Sequence, residues 1–185
     1  MSLYAYLKKI YSFLEKKKRE KYLKSLINSG LQLGKNVDIV SDYFFDPSHC
    51  FLISIGDNAI IAPNVRLIAH DASTKRTLGY TKIGKIEIGE NCFIGDSTIV
   101  LPNVKIGSNS IIGSGSVVTK SVPPNCIAAG NPAKVIMTIN EYIKKIKRMS
   151  ADKRIFGEDY YIDNLNEKKR KEIIDSLSDT IGFII

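Results

Sequence analysis

The stretch Ile88-Gly-Glu-Asn-Cys-Phe-Ile94-Gly-Asp-Ser-Thr-Ile-Val100-Leu-Pro-Asn-Val-Lys-Ile106-Gly-Ser-Asn-Ser-Ile-Ile112-Gly-Ser-Gly-Ser-Val-Val118 decides the fold. An aliphatic residue returns every six positions, at Ile88, Ile94, Val100, Ile106, Ile112 and Val118. Gly follows it at Gly89, Gly95, Gly107 and Gly113, and a small residue stands four places after it, at Cys92, Thr98, Val104, Ser110, Ser116 and Val122. Before that small residue come Asn91, Asn103, Asn109 or Gly115, the residue types that accept a left-handed backbone at least cost. A short strand with a corner every six residues describes a polygonal coil. If three sides close one turn, the aliphatic residues point inward and stack in columns, roughly 4.8 Å from coil to coil. Hexapeptide periods of this kind read as a parallel β-helix.

Working outward, the same grammar starts at Leu33-Gly-Lys-Asn-Val-Asp, continues at Ile39 and lapses across Asp42 to Cys50. It resumes at Ile55-Gly-Asp-Asn-Ala-Ile and Ile61-Ala-Pro-Asn-Val-Arg and stops at Leu67. Residues 68–82 are polar and aperiodic, and from Ile83 the repeat is expected to run to Val122, where Pro123-Pro124 ends it by removing two backbone donors. Residues 125–134 read as a further loop. A loop that leaves a rigid solenoid and returns to it is a place where chemistry can be built without disturbing the core.

Helical spacing flanks the repeat. Leu3, Leu7, Ile10 and Leu14, continued by Tyr22, Leu23, Leu26 and Ile27, predict a helix over 3–27 that Gly30 stops. Further helices are expected over 140–149 and 167–177, followed by an apolar tail, Ile181 to Ile185, that docks on its own or a neighbouring subunit. The organisation expected is therefore an N-terminal basic helix (1–29), a β-helix domain with the loop 68–82 (30–135), and a C-terminal helical extension (136–185).

Composition limits the function classes. The net charge of +8 is uneven: residues 1–29 hold eight Lys or Arg against two Glu, whereas residues 30–133 balance at eight against eight. A charge-balanced repeat without paired aromatic stacking motifs speaks against nucleic acid as a partner. The basic helix either caps the open end of the coil or rests on an acidic membrane surface. Three Cys (Cys50, Cys92, Cys126) lack metal-ligand spacing and suit a reduced cytoplasmic chain, and no apolar run has the length of a membrane span. With two His in the chain, a zinc site of three His ligands is excluded, so no metal is expected.

The units at 88–99, together with Ile112-Gly-Ser-Gly-Ser-Val-Val-Thr-Lys120 and Ala129-Gly-Asn-Pro-Ala-Lys134, resemble the hexapeptide-repeat acyltransferases, which include galactoside, maltose, serine and antibiotic acetyltransferases and sugar acetyltransferases of capsule and O-antigen synthesis. The resemblance implies a left-handed β-helix, a homotrimer, and acetyl-CoA as co-substrate. It implies that His70, in the extended loop, is the general base, a part for which imidazole is the natural choice near neutral pH. It places a backbone N–H near Gly95 and Asp96 against the thioester, Ser114, Thr119 and Lys120 along the pantetheine groove, and Lys134 at the nucleotide phosphate. A second family cation three residues on is Met137 here, which leaves Lys144 or Lys145 as substitutes. Asp42, Asp46 and His49 fall in the segment that lines the acceptor pocket.

One departure stands out: galactoside and maltose acetyltransferases usually carry Pro after the base, where this chain has Asp71, as the capsule and O-antigen branch does. Adjacent side chains in an extended segment point to opposite faces, so the group orienting His70 is expected from another coil, with Asp42, Asp46 and Asp57 all open. The function so implied is O-acetylation of a sugar or surface-polysaccharide precursor by direct transfer. N-acetylation of a nucleotide-linked amino sugar, antibiotic acetylation, and a catalytically silent scaffold are the alternatives.

Overall fold

The inward aliphatic residues do stack. The computed structural model, which describes residues 3–185, forms three parallel sheets, each taking one strand from successive coils. The first face holds Gln32–Leu33, Ile53–Ile55, Ile86–Ile88 and Val104–Ile106; the second holds Asp38–Ile39, Ile60–Ile61, Phe93–Ile94, Ile111–Ile112 and Cys126–Gly130; the third holds Tyr43–Phe45, Val65–Leu67, Ile99–Val100 and Val117–Val118. The chain visits the faces in that order, which makes a three-sided prism, the left-handed parallel β-helix. Register keeps the columns straight: Ile55 pairs with Ile88, Ile61 with Ile94, and Leu67 with Val100. Phe45, Ile61, Leu67, Ile94, Val100, Ile106, Ile112 and Val118 are fully buried between the faces.

The smaller inward slots are filled as their chemistry demands. Ala59 and Val65 pack as hydrocarbon, while the buried hydroxyls turn to carbonyls of the neighbouring turns: Ser110 Oγ donates to Pro123 O at 2.9 Å and Thr98 Oγ1 to Gly113 O at 3.3 Å. A buried hydroxyl left unpaired would cost on the order of 1–3 kcal/mol, so these contacts decide that Ser and Thr are tolerated there. No buried side-chain nitrogen or oxygen among the described residues lacks a partner.

The corners carry the expected left-handed residues, Asn91, Asn103, Asn109 and Gly115, joined by Ser97 (φ 57°). Ser97 holds this conformation beside Asp96, whose Oδ2 accepts its hydroxyl at 2.9 Å. At the corner between the first and second faces a column forms: Asn36 donates to Asn58, Asn58 to Asn91, Asn91 to Asn109 and Asn109 to Asn125, at 3.0–3.2 Å. The same residue type thus supplies both the turn and a side-chain ladder up the prism.

Three readings of the repeat are corrected. The first coil does not lapse at Asp42: Leu33, Ile39 and Phe45 keep the period of six, and Phe45 is fully buried in one core cluster with Leu26 of the N-terminal helix, its ring packed on that of Tyr43. The coil resumes at Ile86, not Ile83, since Ile83 is exposed and pairs with His70 outside the prism. The proline pair does not end the repeat. Val122 still bridges Ile106, and Ile127 and Ala128 stack on Ile111 and Ile112, because Pro123 and Pro124 occupy a corner, where no ladder donor is required. Residues 126–138 are accordingly an antiparallel pair, Cys126–Gly130 with Ala133–Thr138, rather than a loop.

The N-terminal helix spans Leu3–Asn28, and its last two turns close the open end of the prism. Leu26 and the following Leu31 are buried, and Tyr22, Leu23 and Tyr43 pack against the core. Leu7, Ile10 and Leu14 are exposed, and the side chain of Leu3 lies outside the described residues. The described residues group into two compact units divided between Ile139 and Asn140. In the second unit, helices Ile139–Ser150 and Glu167–Ser176 accompany a strand pair in which Phe183–Ile184 adds to Ile155–Phe156, so the apolar tail docks within its own unit. Arg154 and Tyr160 both bind the Glu172 carboxylate there.

The corner chemistry separates into two testable parts. Asn91→Ala loses both the left-handed preference and the ladder and is expected to destabilise by about 1–2 kcal/mol, whereas Asn91→Gly keeps the backbone and loses only the side-chain bonds. Urea denaturation midpoints should therefore fall in the order wild type, Asn91→Gly, Asn91→Ala.

Candidate active site

Coil register, before any side chain is considered, brings two insertions to one place. Phe45 and Leu67 are partners on the third face, and the residues after them leave the prism at the same corner, toward the first face. The first departure is the tight turn Asp46-Pro47-Ser48-His49 followed by the 3-10 turn Cys50–Leu52; the second is the arm of residues 69–85. Asp46 N–H still donates to Leu67 O at 2.9 Å, and Ile68 N–H to Val100 O at 2.9 Å, so the ladder anchors both roots.

Asp46 is the hub of this corner. It is 0% exposed, and four groups converge on its carboxylate. Oδ1 accepts Ser48 N–H at 3.2 Å and Ser48 Oγ–H at 2.7 Å; Oδ2 accepts Ala69 N–H at 3.1 Å and pairs with His70 Nδ1. Burial alone would raise its pKa, but the hydrogen bonds from His70 and Ser48 outweigh that and hold it below the usual carboxylate range. An ionised Asp46 can only accept, so the proton of the pair sits on His70 Nδ1. In the neutral ring, the form a general base requires, the lone pair is then on the other nitrogen, Nε2, of a side chain that is 34% exposed. An imidazole held in this way by a buried carboxylate is chemically able to act as a general base.

His49 lies beside it. Its ring centroid is 4.9 Å from that of His70, its Nδ1 is 3.0 Å from Ser48 Oγ and 3.8 Å from Asp46 Oδ2, and its side chain is 25% exposed. Asp46, His49 and His70 are the one cluster of metal-ligating types among the described residues, with donor atoms within 4.8 Å of one another. Within it, Asp46 Oδ2 and His70 Nδ1 are joined by their own hydrogen bond.

Asp71 does other work. Its carboxylate accepts Ser73 N–H at 3.0 Å and pairs with Lys82 at 3.1 Å across the arm; the Ser73 hydrogen bonds and Lys82 bring its pKa down to about 2. Together with the pairing of His70 with Ile83 and the short helix Lys75–Leu78, which ends at Gly79 (φ 78°), it closes the arm on itself and fixes the backbone that carries His70.

Of the three carboxylates left open for orienting His70, only Asp46 is in contact with it. Asp42 stands at the corner between the second and third faces, 81% exposed, 3.9 Å from Arg19 of the N-terminal helix. Asp57 receives Lys35 N–H at 2.8 Å at the asparagine corner. Thr119 and Lys120 follow Val118 on the third face, so they share the corner of His70 two coils further along, and both are exposed. Gly95, Asp96 and Ser114 sit at the corner between the second and third faces and are not brought to His70 within one chain. Gly95 N–H is engaged with Ile112 O at 2.8 Å, which leaves the Asp96 amide as the backbone donor of that pair; the Asp96 carboxylate is occupied by Asn64 and Ser97. Gly95 is glycine because a Cβ there would lie 2.6 Å from Ser114 N. Lys134 is exposed on the strand Ala133–Thr138, opposite Ala129. Sequence reasoning passes over Ser48, although Asp-Pro-Ser is a turn in which the third residue folds back onto the first.

Residues 85–120 match the family described as bacterial transferase hexapeptide (six repeats). The galactoside O-acetyltransferase of Escherichia coli K12 is 39% identical over 132 residues, covering 70% of this chain and 57% of that relative, so the match spans little more than half of the relative's length. A maltose O-acetyltransferase from Clostridium difficile 630 superposes with a TM-score of 0.53 at 29% identity, over 72% of this chain and 84% of that one. A hexapeptide-repeat acetyltransferase from Vibrio cholerae, solved with acetyl coenzyme A, gives a TM-score of 0.53 at 25% identity, over 59% and 60% of the two chains.

The buried carboxylate makes a stability prediction whose sign is fixed. Its folded pKa is depressed, so its contribution is present above the unfolded value of about 3.9 and is lost as pH falls through the folded one. The thermal midpoint of the wild type should drop on acidification below about pH 4, and in Asp46→Asn that part of the profile should flatten.

Proposed function

The chain belongs to the hexapeptide-repeat transferases, and on that premise we propose that it is an acetyl-CoA-dependent O-acetyltransferase acting on a sugar, with His70 as base and Asp46 as the group that positions it. The observation that carries the reading is the pairing of a buried, ionised Asp46 with His70 Nδ1 at the root of an arm outside the prism. A sugar as acceptor is supported by the activities for which two relatives are named, the galactoside and maltose O-acetyltransferases. His70-Asp71, in place of the His-Pro of those enzymes, favours a precursor of surface polysaccharide.

The acceptor hydroxyl gives its proton to His70 Nε2 as its oxygen attacks the thioester carbonyl carbon. The tetrahedral intermediate collapses with cleavage of the carbon–sulfur bond, and the coenzyme A sulfur takes the proton back from His70. Acetyl ester and free coenzyme A result, without a covalent enzyme intermediate. Asp46 stays ionised throughout and offsets the charge on the imidazolium, and the Asp96 amide serves the oxyanion. Ser114, Thr119 and Lys120 line the pantetheine arm, and Lys134 meets the phosphates.

Gly95, Asp96 and Ser114 lie at a different corner from His70, whereas Thr119 and Lys120 share its corner, which supports a homotrimer in which the Gly95–Ser114 corner of one copy faces the His70 corner of the next. The N-terminal helix keeps its exposed apolar side chains, Leu7, Ile10 and Leu14, for a neighbouring copy or for the cytoplasmic face of a membrane. No helix among the described residues is long and apolar enough to cross one.

Acetyl-CoA, at about a hundred times its dissociation constant, should stabilise the folded protein by about 2.7 kcal/mol, and differential scanning fluorimetry would read this as a raised midpoint. An unchanged midpoint fits the silent scaffold instead. His70→Ala and Asp46→Asn should each lower kcat by about 10²–10⁴-fold with that acetyl-CoA shift intact; near-normal turnover in His70→Ala would remove it as the base. Lys134→Ala should raise the KM for acetyl-CoA and leave kcat unchanged in a thiol-release assay.

A further inference from the structure

The hydrogen bonds around Asp46 fix the tautomer of a neutral His49 as well. Ser48 has one hydroxyl proton, and it lies 2.7 Å from an ionised carboxylate oxygen that can only accept. Ser48 Oγ must then accept from its other neighbour, His49 Nδ1 at 3.0 Å. As neutral rings, both imidazoles therefore hold their proton on Nδ1, His70 directly on Asp46 and His49 through Ser48, and the acceptor of each is Nε2. The two Nε2 atoms belong to partly exposed, neighbouring rings whose centroids are 4.9 Å apart.

A pair of hydrogen-bond acceptors on two adjacent rings is complementary to two neighbouring hydroxyl groups, one on each ring nitrogen. A single hydroxyl would leave one acceptor unmatched, and a site built to pair a hydroxyl discriminates against a ligand that lacks it. We infer that His49 is a specificity-determining residue, and that the acceptor is a sugar with a vicinal diol: His70 takes the proton of the hydroxyl that is acetylated, and His49 Nε2 accepts from the hydroxyl beside it. The inference rests on the transferase reading and adds the substrate feature that the site selects.

The two nitrogens of His49 can be separated by substitution. The amide nitrogen of His49→Asn stands near Nδ1 and keeps the Ser48 bond while losing the outer acceptor; His49→Gln reaches toward the Nε2 position and loses the Ser48 bond. The probes are the methyl pyranosides of glucose, galactose and mannose and their monodeoxy counterparts, assayed by thiol release from acetyl-CoA. His49→Asn should raise the KM for the best diol glycoside about tenfold with kcat within about twofold, and should leave the monodeoxy partner unaffected. His49→Gln should lie nearer the wild type. Equal losses on diol and monodeoxy probes, or a larger defect in His49→Gln, would reduce His49 to a structural prop and overturn the inference. Nitrogen-15 NMR of the free protein should find both histidines protonated on Nδ1; an Nε2–H tautomer at His49 would also overturn it. Wild-type protein that is stabilised by acetyl-CoA yet acetylates no diol glycoside sinks the substrate class and spares the transferase reading. Absence of that stabilisation sinks both.

Discussion

The coil-to-coil register on the third face is the constraint on which the site depends. Because Phe45 and Leu67 are held as partners in the ladder, the two chain segments that leave them must emerge at one corner, one coil apart. A carboxylate immediately after the first strand and a histidine three residues after the second then meet without any long-range loop having to find its place. The hydrophobic columns that fix this register lie inside the prism and the chemistry lies outside it. The core can therefore stay rigid while the arm is shaped for a ligand.

Most of the architecture is legible in the sequence because a period of six with Asn or Gly at the corner has few physical solutions. The errors fall where the signal depends on what surrounds a residue. Phe45 is large and aromatic where the pattern shows an aliphatic residue, and its partners, Tyr43 beside it and Leu26 of the N-terminal helix in the same core cluster, are not visible in the spacing. Pro123 and Pro124 look like a terminator, yet proline is harmful only where a ladder donor is needed, and a corner needs none. Ile83 reads as a repeat residue because Gly84 follows it as Gly89 follows Ile88, yet it stands five residues before Ile88 instead of six, and its pairing with His70 belongs to the arm.

The site is half legible. His70 can be named from its place in the longest interruption, and Asp46 and His49 from theirs in the shorter one. Their meeting cannot, because the pattern reads as lapsing at Asp42, before the first coil is complete, and the register that puts Asp46 beside Ala69 is lost with it. Ser48 carries no signal except its turn. Residues named for the donor divide between two corners, a separation that spacing along one chain cannot reveal: Thr119 and Lys120 lie with His70, whereas Gly95, Asp96 and Ser114 do not.

The asparagine column has a consequence of its own. Each carboxamide gives its NH2 to the oxygen of the next coil, from Asn36 through Asn58, Asn91 and Asn109 to Asn125, so all the side-chain dipoles point the same way along the axis. Turning over a single amide would set nitrogen against nitrogen on one side and oxygen against oxygen on the other. The file can reverse only as a whole, which makes five separate surface side chains behave as one polarised rod with its electropositive tip at the Asn125 end.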